Sequence, residues 1–504
     1  MRLYFILGVL ALLLVTQPAS AQRATFSGVE SSYFQKSGVL RTGGVISGYY
    51  IINYNKPMEG EGYYVLQLLD QDLNKVGEKP LSPDENLRIG SVAYNGERLG
   101  VEMLDHERER KWIEIFDGNG EFQHRRQMTY SPIDLPGVQT IGALFGGTTM
   151  VAATGGFLHF NTATDGKRPT SDTYYRVTYV PNDADDRGWS TRSSSRMKDS
   201  QGAAYLTSND SMVVFAVYTM TGGKMSTKCT MSIMGYGLHS GKKLFSYAPD
   251  AKEIQTRYIK GQIVGDELVV VGTNVGKSSK VFTDHPIGID VIKLSLGGKV
   301  IERSGFSIEE DMADHFDVSR QGKIKGLGSL FIHDLGITAK QEIVIAGEFY
   351  KVFNGDIKIE EGLLIQLRPD LTVAEVKLIE KGRTGSMLDD GISNLLNAKI
   401  SLSRAPIIAA VSKLNHDFDF AFLDQGREVI TTTYFSGRTE VKESNRLSLY
   451  VNTLLDGELM EDKVEFAVSS DRVIVLPAKE GYLAVIEYSK KNKSLDIHME
   501  RLKL

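Results

Sequence analysis

The chain has 504 residues, 41% hydrophobic and 24% charged, with a formal net charge of −5 and one cysteine, Cys229. A lone cysteine excludes an intramolecular disulfide framework, so the fold must be held by burial. Mild acidity with scattered Lys and Arg excludes the electrostatic footing that nucleic acid or an anionic membrane requires.

Residues 1–21, MRLYFILGVLALLLVTQPASA, carry the parts of an export signal. Arg2 gives the positive start, residues 3–15 are apolar, and Ala19-Ser20-Ala21 supplies small residues ahead of Gln22. The sequence predicts a leader over 1–21 and one folded domain over 22–504. The apolar run is short for a span of about 20 residues, and no later stretch is long and apolar enough to cross a bilayer. No cysteine stands at the cleavage point for a lipid anchor. The expected location is the periplasm, the outer surface or the medium.

Strand-rich segments then follow one another, at about 38–81, 87–128, 138–195, 202–250, 255–306, 326–382, 391–436 and 445–504. In the first, Tyr49-Tyr50-Ile51-Ile52 and Tyr63-Tyr64-Val65-Leu66 read as strands, closed by the turn Asp70-Gln71-Asp72-Leu73-Asn74. In an adjacent tyrosine pair one ring is expected to point in and the other out. The second segment has four strand runs joined by Asn95-Gly96 and Asp117-Gly118-Asn119-Gly120. Residues 164–200 are polar and are expected to be a surface excursion. Later turns include Leu296-Gly297-Gly298 and Asp424-Gln425-Gly426. The clearest helix signal is Ser307-Ile308-Glu309-Glu310-Asp311-Met312-Ala313-Asp314-His315-Phe316, with Ser307 as cap and Glu310 in the capping-box position.

Units of about 40–50 residues with four short strands predict an all-β fold, a β-propeller of seven or eight mostly four-stranded blades. Eight segments can be counted; alternatively, a first or last segment completes a blade shared by both ends of the chain. A pair of β-sandwiches is the alternative. The run Leu330-Phe331-Ile332-His333-Asp334, followed by Glu342-Ile343-Val344-Ile345-Ala346-Gly347-Glu348-Phe349-Tyr350, resembles the uncharacterised secreted propellers of Gram-negative envelope bacteria. The resemblance implies export and a propeller and carries no catalytic residues with it.

Motifs for chemistry are sparse. Gly272-Thr273-Asn274-Val275-Gly276-Lys277-Ser278 has three residues between its glycines where a phosphate loop needs four, and reads as a hairpin connection. Asp70, Asp72 and Asn74 open like a calcium loop, and Asp183, Asp185 and Asp186 stand before Gly188, but each supplies half the oxygens calcium needs. Calcium is the one cofactor these turns suggest; solvated turn carboxylates are the plainer reading. Asp311 and His315, one turn apart on the expected helix, could share a transition metal. Cys229 is expected to be a small buried apolar side chain.

His333, Asp334 and Glu348 flank a strand turn and form the candidate catalytic or ligand-holding set. The inner strands of a propeller would bring a histidine and two carboxylates to its central opening. No nucleophile elbow is present. Three functions remain open at this point: a noncatalytic exported propeller binding a protein, peptide or glycan; a hydrolase or lyase acting on polysaccharide; and a structural envelope component.

Overall fold

The computed structural model describes residues 22–30, 36–55, 62–82, 87–130, 150–164, 173–193, 200–220, 229–250, 255–276, 286–319, 322–338, 340–353, 356–381, 384–385, 418–424, 429–436, 446–455, 458–467, 472–479 and 481–502. They form eight separate antiparallel sheets, an all-β, eight-bladed propeller, and not the two stacked layers of a sandwich. By compactness the chain divides into two units, one of Met1–Leu40, Ile46–Pro83 and Ser469–Leu504, the other of Arg41–Val45 and Asp84–Val468.

In the first unit, β2 (Lys36–Thr42), β3 (Val45–Asn55), β4 (Tyr63–Asp70) and β5 (Lys75–Ser82) form blade one in that order. The other sheet is blade eight. It takes β31 (Arg472–Pro477), β32 (Tyr482–Ser489) and β33 (Ser494–Arg501) from the end of the chain and its outermost strand, β1 (Arg23–Ser27), from the start. The register runs from Arg23 opposite His498 to Ser27 opposite Ser494. A blade shared by both ends is the alternative reading of the end segments, and it is the one found. Val29, wholly buried, continues the link: its N–H donates to Lys493 O at 2.9 Å, and Tyr488 Oη donates to its carbonyl at 3.2 Å.

The second unit holds six sheets. Blade two is β6 (Leu87–Tyr94), β7 (Arg98–Asp105), β8 (Arg110–Asp117) and β9 (Phe122–Met128). Blade three is β10 (Met150–Ala153), β11 (Gly156–Thr164), β12 (Thr173–Pro181) and β13 (Trp189–Arg192), and blade four β14 (Ser200–Ser208), β15 (Met212–Met220), β16 (Cys229–Gly237) and β17 (Lys243–Tyr247). Blade five is β18 (Thr256–Val264), β19 (Glu267–Asn274), β20 (Gly288–Ser295) and β21 (Val300–Ser307). Blade six has β22 (Ser329–Ile337), β23 (Ile343–Phe353), β24 (Asp356–Leu367) and β25 (Val373–Ile379), with the short β26 (Thr384–Gly385) added to β24. Blade seven is β27 (Phe418–Asp424), β28 (Val429–Ser436), β29 (Arg446–Leu455) and β30 (Glu458–Ala467).

Three sequence expectations are corrected. The last two segments were placed at 391–436 and 445–504, yet β27 to β30 form one sheet across that division; residues 391–417 lie outside the described residues. The polar residues 437–445, outside the described residues, read in sequence like a blade boundary. Residues 164–200 are not only an excursion, since β12 and β13 fall within them. Tyr49 with Tyr50 and Tyr174 with Tyr175 are buried as pairs. Strands covered on both faces have no solvent side for the second ring.

The turn chemistry repeats with the blades. In the third-to-fourth-strand turns of blades one, two, five and six the fourth turn residue has positive φ: Leu73 65°, Gly120 82°, Gly298 81° and Leu371 65°. Asp70 Oδ1 accepts from Asp72 N and Asn74 N at 2.9 and 2.8 Å, and Asp117 Oδ1 from Asn119 N and Glu121 N, both at 2.9 Å. An aspartate that caps two backbone N–H groups fixes such a hairpin turn locally. Of Asp424-Gln425-Gly426, the last two residues lie outside the described residues.

Apolar clusters lie between neighbouring blades. Cys229, Met231 and Ile233 of blade four pack with Leu268, Val270 and Ile292 of blade five. Val271, Ile289 and Val291 of blade five pack with Leu330, Ile332 and Ile345 of blade six. Each sheet's first strand stands at one edge, and in this unit β14 packs on β18, β18 on β22 and β22 on β27. That edge is the inner edge of a propeller.

Because β1 alone completes blade eight, a chain beginning at Gly28 should melt about 5 °C below one beginning at Gln22, as followed by circular dichroism.

Candidate functional site

The first two strands of blade six carry the predicted set. His333 on β22 and Glu348 on β23 face each other, His333 Nε2 lying 2.8 Å from Glu348 Oε2. A register shift between Ile332 and Asp334 in the β22–β23 ladder turns the strand locally. Glu348 and Lys381 are wholly buried, with Lys381 Nζ 3.0 Å from Glu348 Oε1. Asp334 points elsewhere: it pairs with Lys260 on β18 and accepts from Leu335 N at 2.7 Å. The predicted trio is therefore divided, two residues joining a buried cluster and the third bridging blades five and six.

The His333 ring also packs against two aromatic rings. It stacks on Phe418 of β27, centroids 4.6 Å apart and planes 5° apart, and meets Phe331 edge-on at 5.0 Å. Phe418 in turn meets Tyr434 at 5.4 Å. Tyr434 Oη donates to Gly347 O and Leu363 O, each at 3.3 Å. Burial, with the charge of Glu348 next, pushes the Tyr434 phenol far above its ordinary value.

A second cluster of the same composition joins blades two and three, and sequence reading missed it. Glu102 on β7 lies 3.2 Å from Lys111 Nζ on β8 and 2.9 Å from His159 Nε2 on β11, while Ser91 N donates to its other oxygen at 2.9 Å. All three side chains are at most 2% exposed. Burial alone would raise the Glu102 carboxyl, but the charge of Lys111, the hydrogen bond and charge of His159 and the Ser91 N–H together hold it well below 4.5. The available signal was a charge inside an apolar strand run, as in Val101-Glu102-Met103 and Leu158-His159-Phe160.

The other candidates are accounted for by local bonding. Asp183 Oδ1 accepts from Asp185 N at 2.9 Å and Asp186 Oδ1 from Gly188 N at 2.8 Å, both within one turn. Asp72 pairs with Lys479 at 2.6 Å, and that hydrogen bond lowers its carboxyl. The helix α1 (Ile308–Asp311) has only four residues. Ser307 accepts from Glu310 N at 3.2 Å as expected, but Asp311, not Glu310, receives the Ser307 N–H, at 2.6 Å. The chain leaves the helix at Met312, so Asp311 and His315 do not share the helical face predicted for them. Among the described residues no three His, Cys, Asp or Glu are grouped to hold a metal ion. Cys229 is buried, and burial pushes its thiol up to about 12. Gly272, Thr273 and Asn274 belong to β19; Lys277 and Ser278 lie outside the described residues.

A further inner-edge residue was also missed. Arg257 of β18, opposite Thr273 of β19, holds its guanidinium 5.3 Å from the Phe331 ring centroid, and its Nε donates to Thr273 Oγ1 at 3.4 Å. It marks its place only as a cation ahead of Tyr258-Ile259.

Taken together, these features define an all-β propeller with two buried glutamate–lysine–histidine clusters. Over residues 1–503 the chain matches the model for DUF6770, a family of unknown function, and it belongs to that family. No curated protein matches it. Among solved structures it is similar to the WD40 domain of SCAP from fission yeast, at 8% identity and a TM-score of 0.40, over 95% of this chain and 98% of that one. Oligopeptidase B from Leishmania major is similar at 10% identity and a TM-score of 0.42, over 91% of this chain and 54% of that one, so the chain spans about half its length. The polysaccharide lyase Uly1 is similar at 10% identity and a TM-score of 0.35, over 95% and 92%.

Two stability predictions follow from the clusters. Lys381→Met strands the buried Glu348 charge and should cost about 3–5 kcal/mol in urea unfolding at pH 7. Glu102 has a folded value below its unfolded one, so its contribution is complete above about pH 4.5 and fades as pH falls toward the folded value. Glu102→Gln should be less stable at pH 7, and its stability should decline less between pH 5 and 3, in the same assay.

Proposed function

We propose that this chain is an exported, noncatalytic propeller that binds a protein, peptide or glycan partner through its inner-edge strands or the loops beside them. The observation that carries the reading is the commitment of the His333–Glu348 pair. A general acid or base must reach a substrate proton and exchange its own with solvent. Glu348 is wholly buried against Lys381 and His333, and His333 packs against two aromatic rings. Such an arrangement serves to lock blades six and seven in place. Asp334 is likewise spent on Lys260.

Binding is favoured over a purely structural role by what the same inner edge leaves available. Arg257 is partly exposed and has no carboxylate partner among the described residues. Export rests on residues 1–21, and β1 begins at Arg23, so a cut before Gln22 would leave every strand residue in place.

The test uses the secreted full-length product. N-terminal sequencing is expected to begin at Gln22; an intact leader would overturn export. On peptide and glycan arrays the protein is expected to be retained, with no new reducing ends or amines released from polysaccharide or peptide substrates. Released product would overturn the noncatalytic reading.

A further inference from the structure

We propose that Arg257 is the anchor of a site for a free carboxylate borne on an apolar group, the C-terminal end of a peptide. The inference rests on the binding reading above and names its ligand. Lys260, on the same strand as Arg257, is paired with Asp334, and the buried Lys381 with Glu348. Arg257 is not: its one hydrogen bond among the described residues uses Nε. The fork of the guanidinium, the part that matches a carboxylate with two parallel N–H donors, is left without a protein acceptor there.

The surroundings favour an apolar carboxylate over a sugar acid. Phe331 lies beneath the guanidinium, and the Tyr350 phenol, buried and hydrogen-bonded by Ser329, is pushed up to about 12 and stays neutral. Thr273 is already used by Nε. Sugar hydroxyls need several convergent donors and acceptors, whereas an aromatic floor with one cation suits a chain end and its last apolar side chain. Burial draws the Arg257 guanidinium down to about 10, a cost that a bound carboxylate would offset.

The backbone holds the residue in place. Gly272 on β19 lies so near that a Cβ there would stand 2.4 Å from the Arg257 carbonyl oxygen. Nε and Thr273 then fix the direction of the fork. The cation is thus pre-positioned, with little side-chain entropy left to lose on binding.

The experiment places hexapeptides of varied sequence on an array with free C-terminal carboxylates, beside the same peptides amidated, and adds oligogalacturonate as a carboxylate-bearing glycan. Full-length wild type, Arg257→Lys and Arg257→Met are compared, each checked for an unchanged melting temperature. Expected is at least a tenfold weaker affinity for amidated peptides with wild type, a similar loss for free-carboxylate peptides with Arg257→Met, and no further loss when the two changes are combined. Arg257→Lys should retain part of the affinity. Amidation is read on wild type alone and so needs no variant to fold. Peptide binding indifferent to amidation, an Arg257→Met variant that binds as wild type, or a response to oligogalacturonate alone would each overturn the carboxylate proposal while leaving the binding reading standing. Silence on every array would overturn both.

Discussion

The structure depends on sheets that are covered on both faces. Apolar clusters sit between blades and not beneath a single layer, so the middle strands of a blade have no solvent side, while the outer ones do. Burial of apolar surface at roughly 25 cal/mol per Å² is the main stabilising term in a chain with one buried free cysteine. Any charge placed mid-strand must then find its partner within the protein, often across the gap to the next blade.

That constraint explains why two clusters of glutamate, lysine and histidine recur. Glu102, Lys111 and His159 tie β7 and β8 to β11 of the next blade. Glu348, Lys381 and His333 lie within blade six, and His333 extends the contact to Phe418 of blade seven. Buried ion pairs add little net stability over apolar residues of equal size, but a mismatched one is costly. Their effect here is selective: blades that slide or rotate against each other would leave a charge unpaired in the interior.

Much of this was legible in the residues. The turns at Asp70 and Asp117 announce themselves because an aspartate caps the backbone a few residues on, a local rule that needs no tertiary knowledge. Six of the eight segments fell where blades form, since each has strand runs separated by such turns. The final two were misdivided because a linker looks the same within a blade as between blades. The site was half legible. His333 and Glu348 were singled out together and do meet, yet their burial depends on Lys381 and Phe418, far along the chain. Arg257 and the Glu102 cluster escaped because an isolated charge in an apolar run gives no sign of its partner, or of lacking one.

The strand supplied by the N-terminus sets an order on folding. Thr25 donates to Asp496 at 2.5 Å across 471 residues, and closing a flexible loop of that length costs about 5 kcal/mol. In a chain made from its start, RATFS must wait, unpaired, until the hairpin of β32 and β33 has been synthesised. Its exposed positions, Arg23, Thr25 and Ser27, are charged or hydroxylated, so the waiting segment offers other chains little to adhere to. Blade eight is therefore a seam that closes only once residues from both ends of the 504-residue sequence are present.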